Sequence, residues 1–177
     1  MASRGEVTAL DYTATLTGWA EQFSDLPGFV YLDSGTSEDG AELEVVTALP
    51  TVIHRLQDYS ANLDDWMTAL EADLHTGCAQ SAIVGTSACF TGCVAIGSLD
   101  YDAPAASLRL QDELKSRTMA GLYHWLLVTH RSSQTTELLV HPDCSAVTRQ
   151  RITSLLETKP TAVPAGFHLA EHFRPAI

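Results

Sequence analysis

The chain has 177 residues, 45% hydrophobic and 18% charged, the balance of a globular domain able to bury a core. Its 22 acidic residues outweigh 10 scattered basic ones, for a formal charge of -12. That argues against nucleic acid and against anionic membrane surfaces, which both need clustered Lys and Arg.

In chain order, Met1-Ala2-Ser3-Arg4-Gly5-Glu6 lacks the apolar stretch of a signal peptide. No apolar run reaches the roughly eighteen residues of a membrane helix, so a cytoplasmic protein is expected. Leu16, Trp19, Ala20 and Phe23 recur at helical spacing and predict a helix over residues 13 to 25. Leu26-Pro27-Gly28 is a turn, and the strand that follows, 28 to 33, carries Phe29-Val30-Tyr31-Leu32 and opens at Asp33-Ser34-Gly35. A carboxylate and a hydroxyl at a strand end have two readings. They grip an amine or amide ligand, or they close a turn by bonding to nearby backbone.

Gly35 to Gly40 is a polar loop, and Leu43 to Leu49 predicts a second strand, interrupted by Pro50 and continued in extended form from Thr51 to Leu56. Asn62 is a helix cap, with Asp64 and Asp65 in the dipole-favoured first turn. Trp66, Met67, Leu70 and Leu74 mark the buried face of that helix, and Gly77 is its expected stop. Phe90 to Leu99 predicts a glycine-interrupted strand ending in Asp100-Tyr101-Asp102. Gly121 to His130 and Thr135 to His141 form a hairpin turned by Arg131-Ser132-Ser133-Gln134. Pro142-Asp143 opens a last helix through Glu157, with Val147, Ile152, Leu155 and Leu156 inward. Lys159 to Gly166 reads as a linker. Helices and strands do not alternate regularly, so the expected class is α+β, mainly antiparallel β-sheet with helices packed on it.

Chemistry-bearing patterns are sparse. The four cysteines, Cys78, Cys89, Cys93 and Cys144, lack the spacing of a zinc knuckle and read as reduced thiols. Gly85-Thr86-Ser87-Ala88 lacks the second glycine of a hydrolase elbow, and no phosphate-cradling glycine loop with Lys-Ser/Thr is present. His168 and His172 are spaced to share a metal on a helix, or belong to a solvated tail. His124 reads as a surface or edge histidine, facing away from Tyr123 and Trp125. These residues assemble no active site by themselves.

The order of "LPGFVYLDSG", "ELEVVTALP", "FTGCVAIGSLDYD" and "MAGLYHWLLVTH" resembles the N-terminal region of the aminodeoxychorismate synthase component I family. The related anthranilate synthase component I shares the layout. The resemblance runs from about Leu16 to about Glu157; "LDSG" and "GLYHW" are closer to the aminodeoxychorismate branch than to the "LLES" form of the other.

It implies that residues 1–158 are the family's non-catalytic, supporting N-terminal domain and that 159–177 lead toward a C-terminal chorismate-binding domain. The complete enzyme converts chorismate and ammonia to 4-amino-4-deoxychorismate for 4-aminobenzoate and folate synthesis. It uses Mg²⁺ and ammonia from a glutamine amidotransferase subunit. Catalytic and metal-binding residues lie in the C-terminal domain, so none is implied here and the chain alone is expected to be inactive. What the resemblance does imply is a tryptophan-like ligand pocket at Leu32, Asp33 and Ser34. The alternative is a free-standing amino-acid binding module. The chain departs from the family pattern at Gly40-Ala41-Glu42, at Gly92-Cys93, at the added Asp100, and at Ser116-Arg117-Thr118, where relatives carry a proline.

Overall fold

The computed structural model describes residues 5–34, 43–59, 62–78, 93–99 and 118–158. They run β1 (Glu6–Leu10), α1 (Thr17–Phe23), β2 (Val30–Asp33), β3 (Leu43–Thr47), β4 (Val52–Arg55), a 3-10 turn (Leu56–Tyr59) and α2 (Leu63–Cys78). Then come β5 (Val94–Ser98), β6 (Met119–Tyr123), β7 (Trp125–His130), β8 (Thr135–Val140) and α3 (Ala146–Leu156). The class is α+β. Where one sheet was expected, there are two: a five-stranded sheet in the order β1-β8-β7-β3-β2 and a three-stranded sheet in the order β4-β6-β5. Every pairing is antiparallel.

Trp125-Leu126-Leu127-Val128 is an unbroken apolar run because β7 is central in the larger sheet and buried on both faces. Successive side chains go to opposite faces. Trp125 and Leu127 pack with Val46, Leu138 and Val140 against Leu16, Ala20 and Phe23 at α1 and Ile152 of α3. Leu126 and Val128 pack with Val45 and Leu139 on the other face, where Val94 of β5 meets them. α2 covers the far side of the smaller sheet through Trp66 and Leu70, which contact Leu56 and Ala120. The layers are therefore α1/α3, larger sheet, smaller sheet, α2.

The chain crosses between sheets at two described corners. At the first, Leu49 takes a left-handed φ of 57°, its amide donates to Pro27 O at 2.8 Å, and Thr51 N–H reaches Leu122 O at 2.8 Å. Pro50 thus marks a change of sheet, not an interruption within one strand. The second corner is His124, the single residue between β6 and β7, so the predicted strand 121–130 is two strands in two sheets. This also corrects the surface reading of His124: it is 9% exposed, with its ring 4.6 Å from that of His141.

Other expectations change in detail. α1 is shorter than 13–25 because the backbone ahead of it is tied elsewhere: Thr13 N–H to Thr136 Oγ1, and Leu16 N–H to Glu44. Met67 is 50% exposed, at the margin of a stripe made by Leu63, Trp66, Leu70 and Leu74. Gly77 does not stop α2, which continues to Cys78. Val147 is 78% exposed; at about 3.6 residues per turn it lies across the helix axis from Ile152. β1 had no counterpart in the sequence reading. Cys93 and Cys144 are buried thiols. The loop from Gly35, Gly40-Ala41-Glu42, Gly85 to Ala88, Cys89 to Gly92, Asp100-Tyr101-Asp102, Ser116-Arg117 and the tail from Lys159, with His168 and His172, lie outside the described residues. Among the described residues no helix is long and apolar enough to cross a membrane.

Candidate functional site

Leu32, Asp33 and Ser34 all line a cleft of about 570 Å³ between the two sheets. Leu43, Val45 and Leu126 continue its wall on the larger sheet, and Val94 to Gly97 of β5 form the wall opposite. Strand alternation explains the lining. Leu32 is in register with Val45, so both point to the face that looks toward β5, and Leu32 is 48% exposed there. Gly97 lies so close to β6 that an added Cβ would meet Met119 O at 2.2 Å. The glycine in the fifth strand is thus explained by close approach of backbone.

The two polar residues are placed differently from Leu32. Ser34 closes the β2–β3 ladder: its amide donates to Leu43 O at 2.9 Å, and its Oγ accepts the Leu43 N–H at 2.7 Å. This is the turn-closing geometry, formed at the rim of the cleft. Asp33 is in register with Glu44, and its carboxylate is turned toward Arg131, with Nη2 at 3.4 and 3.5 Å from the two oxygens.

Behind this rim sits a fully buried carboxylate that sequence reasoning missed. Glu44 accepts from Arg131 Nη2, from Tyr31 OH at 2.8 Å, from Leu16 N at 2.6 Å and from Thr15 Oγ1 at 3.2 Å. A buried charge persists only when paired and hydrogen-bonded in this way. Burial, with the Glu44 hydrogen bond added to it, pushes the Tyr31 phenol up to about 12. Burial alone would lower the Arg131 guanidinium, but the carboxylates of Glu44 and Asp33 outweigh it and raise it. The one available signal was a glutamate inside the apolar run Leu43-Glu44-Val45-Val46, with no partner visible nearby in sequence.

The cleft is therefore an apolar trough with a rigid rim. Arg131 ties β2, β3 and the β7–β8 turn together, and its Nε also donates to Ala14 O at 3.1 Å. Such a trough suits a flat apolar body with a polar end at the Asp33–Ser34 rim. Among the described residues no group of three or more His, Cys, Asp or Glu side chains is arranged to hold a metal. No family model matches the chain, and no curated protein matches it.

Proposed function

We propose that the chain is a non-catalytic, supporting domain of an aminodeoxychorismate synthase component I-like enzyme, and that its inter-sheet cleft binds a tryptophan-like amino acid. The observation that carries this reading is the convergence of Leu32, Asp33 and Ser34 on one cleft that also receives Val94 to Gly97. Parts of two separate segments of the resemblance, Leu32 to Ser34 and Val94 to Gly97, supply its opposite walls. An indole would lie between Leu32 and Ile96, and its amino-acid head at the Ser34 rim. Chorismate, ammonia and Mg²⁺ chemistry belong, on this reading, to a C-terminal chorismate-binding partner domain, and ammonia supply to a glutamine amidotransferase subunit.

Titration calorimetry and thermal melting with L-tryptophan test the cleft. Saturating tryptophan is expected to raise the melting temperature, since a ligand that binds only the folded state stabilises it by mass action. Chorismate is expected to leave it unchanged. Leu32→Arg, which fills the trough from an exposed position, should abolish the tryptophan shift while the unliganded protein still melts cooperatively. No shift with tryptophan would remove the ligand half of the proposal.

The second reading, a free-standing amino-acid binding module, rests on the same cleft. It is separated by adding the chain to a chorismate-binding catalytic domain of the family. A supporting domain raises that domain's turnover; a free-standing module leaves it unchanged.

A further inference from the structure

At the opposite side of the smaller sheet from the cleft, three titratable side chains from three elements form a connected line. His54 of β4 is 6% exposed. Its Nε2 lies 2.9 Å from Asp73 Oδ2 of α2, and its Nδ1 lies 2.5 Å from the Tyr59 hydroxyl at the end of the 3-10 turn. A carboxylate accepts, so Nε2 carries the imidazole proton, and Nδ1 is left to accept from the phenol. The Trp66 indole N–H donates to the His54 carbonyl at 3.1 Å and ties the β4 backbone there to α2, and the imidazole stacks on the Tyr59 ring with centroids 5.9 Å apart. Asp73 is half-exposed and Tyr59 half-buried, while the base between them is enclosed.

This is the geometry of an activated nucleophile: a hydroxyl on a base, and the base oriented by a third group. We propose that Tyr59 is an acyl-acceptor site, its phenolic oxygen taking an acyl group from an activated ester with His54 as base and Asp73 as the orienting carboxylate. The Tyr59 oxygen attacks the acyl carbon as its proton passes to His54 Nδ1. The carbon–oxygen bond to the leaving group then breaks, and the proton held on the imidazole goes to the departing alkoxide. The product is an O-acyl tyrosine and the free alcohol, with no change of oxidation state. The site is independent of the cleft.

The test is exposure of the full chain to p-nitrophenyl acetate at neutral pH, followed by intact mass and peptide mapping. Tyr12, at 40% exposure, is the internal reference. Tyr59 is expected to acetylate at least about a hundredfold faster than Tyr12, the low end of what a positioned base supplies. His54→Gln should bring its rate down to that of Tyr12. Asp73→Asn, on a half-exposed side chain, should slow it toward the Tyr12 rate with unchanged circular dichroism, because the imidazole loses the carboxylate that fixes its tautomer; it decides the matter if His54→Gln fails to fold. A merely structural clamp predicts the reverse order, with half-buried Tyr59 slower than Tyr12. That order, an unchanged rate in Asp73→Asn, or stable acetyl on His54 instead of Tyr59 would each overturn the proposal.

Discussion

Glu44 does more to organise the rim of the cleft than any residue that faces it. Its carboxylate holds the Leu16 amide just ahead of α1, the β2 phenol of Tyr31 and the guanidinium of Arg131, so three segments share one buried charge. Replacing it by Gln keeps the volume but, among the described residues, leaves Asp33 as the carboxylate facing Arg131. Removing one partner of a buried pair typically costs 3–5 kcal/mol; with Arg131 still 20% exposed, we expect about 2–3 kcal/mol for Glu44→Gln. Urea unfolding read by tryptophan fluorescence measures this. A loss under about 0.5 kcal/mol, the scale of an exposed pair, would mean that Glu44 is not the organising charge.

At the scale of elements, the corner at Gly28 and Pro50 shows what local chemistry does and does not reveal. Gly28 has φ of +65°, and an added Cβ would sit 2.4 Å from Pro50 Cδ. The Tyr123 hydroxyl donates to Gly28 O at 2.8 Å. Gly28→Ala therefore meets both backbone strain and a clash with a ring that cannot rotate away. A loss of about 2 kcal/mol or more is expected in chemical denaturation, and a neutral result would mean the corner relaxes.

The turn at Leu26-Pro27-Gly28 was legible because its residue types serve almost nothing else. The hairpin turn at Arg131 to Gln134 and the antiparallel class were legible from periodicity and spacing. The division into two sheets was not, since a chain stays extended through a change of sheet. Pro50 looks like a blemish in one strand, and His124 like one more alternating residue, until hydrogen-bond partners are known. Val147 and Met67 failed for a simpler reason: an apolar residue at the edge or back of a stripe obeys no rule that forces it inward. At the cleft, Leu32, Asp33 and Ser34 were named from a resemblance, while Glu44, which anchors them, depends on contacts distant in sequence and left no local pattern.

For the whole molecule, stability in acid is set in part at the seam between the sheets. Burial, and the neighbouring His141 ring, pull His124 below its ordinary 6.5, with Asp143 partly opposing them. Among the described residues the buried His124 Nδ1 has no hydrogen-bond partner, and Arg149 holds the His141 carbonyl from α3 at 3.3 Å. The unfolded chain therefore binds the His124 proton more readily than the folded one. Its contribution is intact well above pH 6.5 and erodes as pH falls through that value toward the lowered folded one. Thermal melting from about pH 7.5 to about pH 5.5 should show a falling midpoint, and His124→Asn should flatten the decline. An unchanged slope in that variant would place the acid sensitivity elsewhere.

The pairing of β1 with β8, Glu6 opposite Val140, bears on how the protein is made. A ribosome delivers Glu6 to Leu10 long before their partner; about 130 residues separate the two sides of the ladder. Until β8 emerges, the larger sheet lacks its outer rungs, and α3 has not arrived to cover Trp125 and Leu127. Nascent chains therefore carry β1 without its partner until β8 emerges, and Trp125 and Leu127 wait for residues 146–156 to be covered from the α3 side.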